Sequence, residues 1–325
     1  DLKSDAGRQL VLDLAPRFDV VAENSRAGAM ARLGLGYEDL RAVHPGVVYL
    51  SVSGFGNTVP SPYDDWPAFA PIVEAMSGIY EFKRRGDDPP LVAPVGALGD
   101  IGSGLFAVIG VLAALRHRDA TGQGQHVDIA MLDSVVAMTD IVTNFWSLGL
   151  RGGNLAPLIM DGFRAADGWF IVQVGREPQF AMLAELVGQP GWPEDERFAD
   201  RQGWVDHLDD VIRPAVEAWA ADKTRVEACE ALSAAGIAAG PCFTDEEVVH
   251  DPHLEARHML VEMPRTDGVD QPVLIPGNPV KMTAVADGPE TRVPWLGEHT
   301  DEVLSAELDL SSAQLADLRE AGVIA

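Results

Sequence analysis

Helix-forming and strand-forming stretches alternate through the N-terminal part of the chain, and this alternation restricts the fold more than any other sequence feature. Ser4 stands as an N-cap before a segment with Leu10 and Leu14 at helical spacing, and a short strand follows at residues 19–22. A loop carrying Asn24, Ser25 and Arg26 leads to the helical YEDLRAVHP, stopped at Pro45, and then to the strand VVYLSVSGF. Residues 57–66 read as a polar, proline-rich loop, APIVEAMSGIYEF as helix, and residues 83–100 as a loop dense in proline and glycine. A long helix over residues 101–118 and the strand QHVDIAM complete a doubly wound half. Such an order predicts an α/β fold with a parallel sheet and crossover helices.

Past LRGGNLAP the pattern changes. GFRAADGWFIVQV predicts a β-hairpin, and helices rich in Ala and Glu follow through Ala235. A chain of 325 residues accommodates two domains. The boundaries are expected to give a large domain at 1–144 and 261–325 and a smaller α+β domain at 145–260.

The formal net charge of −26 argues against polynucleotide and anionic membrane partners. A small anion remains open, because a few arginines beside a helix N-terminus hold phosphate whatever the total charge. Cys229 and Cys242 have no metal or redox spacing, and cytoplasm is the expected compartment. The apolar run at residues 105–115 is shorter than the roughly 20 residues a bilayer span needs, so it is expected to be a buried helix. The chain opens on Asp1 in what reads as the middle of a domain, so an upstream segment is expected.

Asp100 opens the long apolar run between closely set glycines, in GALGDIGSGLFAVIGVLAAL. Asp is a favoured N-cap, and taken alone that is the simpler reading. Gly99, Gly102 and Gly104 shift the balance, since they strip side chains from the backbone around the acid and open it to a bulky ligand. Gly102, Gly104 and Ala107 also fit the dinucleotide pattern G-x-G-x-x-A, with Asp128 near the end of a later strand. That pattern needs a strand immediately before it, and PPLVAPVGALGD is broken by proline and glycine. No zinc spacing, serine elbow or phosphate loop is present, and His44, His126 and His299 read as structural.

DLKSDAGRQL, VVAENSRAGAMARLGLGYEDLRAVHPGVVYLSVSGFG, EAMSG, GDIGSGLFAVIGVLAALRHRDATGQGQHVDIAMLD, DGWFIV, GIAAGPCFTDEEVVHDPHLEARHM and LGEHTDEVL together resemble the class III CoA-transferase family. That group includes formyl-CoA transferase, carnitine CoA-transferase and α-methylacyl-CoA racemase, and the resemblance runs in order along nearly the whole chain. It implies a Rossmann-like large domain built from both chain ends, a smaller middle domain and an interlocked homodimer. It also implies coenzyme A or acyl-CoA with a carboxylic acid as substrates, and no metal. Asp100 matches the family's catalytic aspartate, which attacks the acyl-CoA thioester.

Lys3, Asn24, Ser25, Arg26 and Arg32 match positions that hold the nucleotide end of CoA, with Ser25 where the family often has Phe. Phe69, counted with the CoA site, stands where racemase members carry a histidine. Proton exchange at a carbon acid needs a second titratable group, so transferase outranks racemase; a non-catalytic CoA-binding homologue is the third reading. Pro157, Leu158, Ile159 and Met160 are bulkier than the glycine loop of formyl-CoA transferases, which leans the substrate toward an acid larger than oxalate or formate.

Overall fold

The structure is a computed structural model describing residues 1–82, 89, 97–149, 157–265, 269–286, 288, 291–292 and 294–325. The expected loop at 83–100 therefore lies mostly outside the described residues, as do residues 154–156. The chain packs as two compact units, Asp1–Leu155 with Pro294–Ala325, and Ala156–Val293. Sequence had set the divisions at 144 and 260; these fall at 155 and 293.

The first unit is mixed α/β. Its described elements are α1 (Asp5–Leu14), β1 (Val20–Glu23), α2 (Ala29–Arg32), α3 (Tyr37–Val43), β2 (Val48–Ser53), α4 (Ala70–Met76), α5 (Ile79–Phe82), α6 (Leu98–Thr121), β3 (Gln125–Ala130) and α7 (Met131–Met138). Ser4 caps α1 by accepting the Gly7 N–H at 3.0 Å. The strands pair in parallel in the order β1-β2-β3, with Glu23 opposite Ser51 and Ser51 opposite Asp128. Because strand side chains alternate, Tyr49 and Ser51 share one face with His126 and Asp128, while Val48, Leu50 and Val52 share the other with Val127 and Ile129. The expected helix over APIVEAMSGIYEF is broken in two at Ser77 and Gly78, where Gly78 takes φ +86°. The C-terminal helices Thr300–Leu308 and Ser312–Glu320 belong to this unit.

Helix α6 departs from expectation in two ways. It begins at Leu98, so Asp100 is its third residue and Ala97, without a side-chain bond, is the N-cap. Its apolar run is also not buried: Ile101, Leu105, Val108, Ile109 and Leu112 are 57–63% exposed. The run counted from sequence stopped at 105–115, whereas the full 24-residue helix is long and apolar enough, by length and composition only, to cross a bilayer.

Gly99 lets α4 lie against the first turn of α6. A Cβ there would meet Val73 Cγ2 at 3.0 Å and Ala70 Cα at 3.1 Å. Gly99→Val is expected to lower stability by about 1–3 kcal/mol, the usual cost of overpacking, read as an earlier midpoint in chemical denaturation at unchanged slope.

In the second unit the predicted hairpin is present, as β4 (Ile159–Arg164) paired antiparallel with β5 (Trp169–Val174), and β6 (Ala238–Pro241) adds to β5. Phe163, Phe170, Leu183, Ile212 and Leu232 are buried in its core, with Trp204 stacked on Phe180 at 4.5 Å. Ile159 is in that core as well, which corrects the reading of residues 157–160 as loop: Ile159 and Met160 belong to a strand, and Ile159 is apolar because it is buried. The argument about acid size drawn from those residues falls with it.

Candidate active site

In parallel sheets the loops at the carboxyl ends of the strands collect ligands, and two such loops are tied together here by side chains. Glu23, the last residue of β1, accepts the Ser25 N–H at 2.6 Å and so bends the chain sharply after the strand. Asp128 on β3 reaches the loop after β2. Its Oδ2 accepts the N–H groups of Asn57 and Thr58, both at 2.7 Å, and the Thr58 hydroxyl at 2.8 Å, while Oδ1 accepts Ser51 Oγ at 3.0 Å. Asn57 passes the link on, its Oδ1 accepting the Gly28 N–H at 2.8 Å. Gly28 has φ +70°, a conformation that favours glycine and turns the loop into α2.

These bonds set the charge states. Burial by itself would raise the Asp128 carboxyl, but the donors from Asn57, Thr58 and Ser51 outweigh it and hold the group below its ordinary 3.8. Burial lowers the His126 pKa against the opposing pull of Asp128, Glu23 and Glu38, so the imidazole is neutral near pH 7. It lies 2.7 Å from Ser51 Oγ and is flanked by the rings of Tyr37 and Tyr49. Tyr49 is shifted upward by burial and by the Glu23 charge, and its hydroxyl donates to Glu23 at 3.4 Å. His126 is thus a member of a polar layer under the loops, in keeping with a structural role.

Above that layer lies a cavity of about 530 Å³ lined by the loop Asn24, Ser25, Arg26 and Ala27, by Phe55, Asp64, Trp66 and Phe69, and by Asp100 and Gly104 of α6. That size is within the range of small-molecule sites, about 300–1,000 Å³. Asp100 is exposed and accepts no hydrogen bond among the described residues. It stands in the first turn of the 24-residue helix α6.

Of the residues singled out from sequence, Asn24, Ser25, Arg26, Phe69 and Asp100 line this one cavity. Arg32 lines an adjoining hollow of about 350 Å³ with Gly28, Asn57 and Thr58, and Asp64 borders both. Lys3 lines neither; it is exposed just before α1. Among the described residues no group of three or more His, Cys, Asp or Glu is placed to hold a metal ion.

Sequence reasoning missed Trp66, Asp64 and Glu74, and met Asp128 only within the dinucleotide pattern that it set aside. Trp66 continues an aromatic series with Tyr63, 4.9 Å away, and Phe55, 5.2 Å beyond that. The available signal was a tryptophan in an otherwise polar loop, where no core demanded it.

Comparison with known proteins gives the family. The chain matches CoA-transferase family III over residues 1–300. It is 34% identical over 336 residues to the succinyl-CoA–D-citramalate CoA-transferase of Chloroflexus aurantiacus, covering 100% of this chain and 81% of that protein. It is 35% identical over 322 residues to the succinate–glutarate CoA-transferase of Agrobacterium fabrum, covering 95% and 77%. Among solved structures, a CAIB/BAIF family protein from Brucella suis is 32% identical with a TM-score of 0.78, covering 94% of this chain and 80% of that one. The chain belongs to CoA-transferase family III and is an enzyme of that family, a CoA-transferase.

Proposed function

We propose that this enzyme moves CoA from an acyl-CoA donor to a carboxylic acid through a covalent intermediate on Asp100. The observation carrying the proposal is the exposed, unbonded Asp100 carboxylate in one cavity with the loop at Asn24–Ala27. An Asp100 oxygen attacks the thioester carbonyl, the C–S bond breaks, and CoA leaves as thiolate, giving a mixed anhydride. The thiolate attacks the aspartyl carbonyl and expels the donor acid as carboxylate, leaving an aspartyl-CoA thioester. The acceptor carboxylate attacks that thioester, thiolate leaves again, and its return to the acceptor's acyl carbon releases new acyl-CoA and free Asp100. The Asp100 amide in the first turn of α6 is proposed to stabilise the oxyanions formed on the way, the Gly99 amide being taken by Glu74.

Asn24, Ser25 and Arg26 are proposed to hold CoA beside the reacting centre, with Arg32 and Lys3 serving its phosphates. Phe69 offers an apolar wall and no proton, and no histidine among the described residues lines the cavity, which supports transfer over racemisation. The relatives are named for succinyl-CoA or succinate with citramalate or glutarate, so we place the substrates among small dicarboxylic acids. We further propose that the enzyme works in the cytoplasm as an interlocked homodimer with no metal, the exposed stripe of α6 being covered by the second copy.

Intact-mass measurement after incubation with succinyl-CoA tests the chemistry. The expected result is a hydroxylamine-sensitive adduct mapping to Asp100. CoA binding without any adduct would identify a non-catalytic homologue, and α-proton exchange with solvent deuterium in the absence of an acceptor acid would identify a racemase.

The loop ties make a separate prediction. Asp128→Ala should raise KM for acyl-CoA about 10-fold while kcat changes little, because three donors in the loop at residues 57–58 lose their acceptor. The parent should show the same weakening in acid. A carboxylate with a depressed folded pKa contributes fully above its unfolded value and loses that contribution as pH falls through the folded one. KM measured across pH in both proteins checks this, and a parental KM in the variant would contradict it.

A further inference from the structure

Glu74 is 1% exposed, and no cation pairs with it among the described residues. Its two oxygens have specific partners. Oε1 accepts the N–H of Gly99, the second residue of α6, at 3.0 Å, and Oε2 accepts the Tyr80 hydroxyl at 2.5 Å. Helix α6 has Ala97 at its N-cap and so cannot cap itself through that side chain. The cap is supplied from another helix by a carboxylate 25 residues away, and Gly99 makes this possible by letting α4 approach.

We propose that Glu74 is a positioning residue for Asp100, acting by capping α6 in its place; the proposal rests on the reading of Asp100 as nucleophile. Asp100 is the third helical residue, the position from which an acidic side chain ordinarily folds back onto the N-cap amide. A carboxylate engaged in that way would have its attacking lone pairs tied up and its reach into the cavity shortened. Glu74 already serves the helix end at the Gly99 amide, so the helix does not draw on the Asp100 side chain for its cap. Asp100 is left on the cavity wall, with no hydrogen bond to its side chain among the described residues.

The test compares substitutions by their rate of single-turnover adduct formation on Asp100 from succinyl-CoA. Glu74→Met keeps the buried volume without an acceptor, a replacement that buried ionic groups often tolerate; Glu74→Ala is made alongside it in case Met does not pack. Glu74→Gln keeps an oxygen for the Gly99 N–H. Ala97→Ser, added to Glu74→Met, restores a local cap.

The expected result is adduct formation slowed by about 10- to 100-fold in Glu74→Met, the size of loss that misplacing a reacting group by about 1 Å produces. CoA affinity by calorimetry should stay within about 2-fold, since the nucleotide loop is not touched. Glu74→Gln and the Ala97→Ser double variant should each recover most of the loss, which a merely structural defect at position 74 would not allow. Parental rates in folded Glu74→Met or Glu74→Ala, or failure of Ala97→Ser to restore the rate, overturn the proposal. Should the parent itself form no adduct on Asp100, the covalent mechanism fails first and takes this inference with it, so the two failures are told apart by the parent alone.

Discussion

Asp100→Asn is expected to reduce transfer from succinyl-CoA to its best acceptor by about 10⁴-fold or more, the scale on which loss of a covalent nucleophile acts. The amide has nearly the same shape, so the cavity and the packing of Gly99 and Gly102 against α4 and α7 are retained. What is lost is an anionic oxygen able to attack and then to leave. Removing the charge costs the fold little, because Asp100 is exposed and bonds to no described group. Calorimetry should therefore find CoA affinity within about 2-fold of the parent, while intact mass finds no adduct. A variant that turns over within about 10-fold of the parent, in a sample shown by peptide mass to be free of deamidation, would exclude the proposed mechanism. A variant that loses CoA binding along with turnover would instead make Asp100 part of the binding surface.

The fold was legible where the information is local. Strands at Val20–Glu23, Val48–Ser53 and Gln125–Ala130 follow from β-branched runs bounded by polar turns, and the hairpin at Ile159–Val174 from two alternating runs around Ala-Asp-Gly. The start of α6 was misread by three residues, and the reason is physical: its cap is not beside it in sequence but on α4, brought close only by packing. Glu74 looked like any acid in an amphipathic helix, although its neighbours Ala70 and Val73 place it on the buried face. Asp128 was visible as a strand-end acid, but its purpose depends on the return of Asn57 and Thr58 to the edge of the sheet. The resemblance pointed to Asp100 and to the loop at Asn24–Arg26, and a single cavity is lined by both. It had nothing to say about Trp66 or Glu74, whose surroundings are assembled by tertiary packing.

Replacing Leu105 and Leu112 together by lysine is expected to convert the proposed homodimer into a monomer in sedimentation at micromolar concentration. Ile101, Leu105, Val108, Ile109 and Leu112 recur at steps of four, three, one and three residues, which sets them on one stripe of α6. Ala107 and Ala114 are buried on the other side, where α6 packs on β2, β3, α4 and α7. The stripe is thus a second apolar face beyond what the first unit uses, and a face of that kind marks an interaction site. Burying two leucines in each copy, four per dimer, is worth about 6–12 kcal/mol, so their loss alone should weaken association by about 10⁴-fold or more, and the unpaired charges add to it. Lysine is the informative choice because it makes a chain of net charge −26 less negative. Dissociation then cannot be laid to general repulsion between copies. Retention of the dimer by the double variant would move the interface elsewhere, and a monomeric parent that binds neutral phosphatidylcholine vesicles through this helix would assign the stripe to lipid.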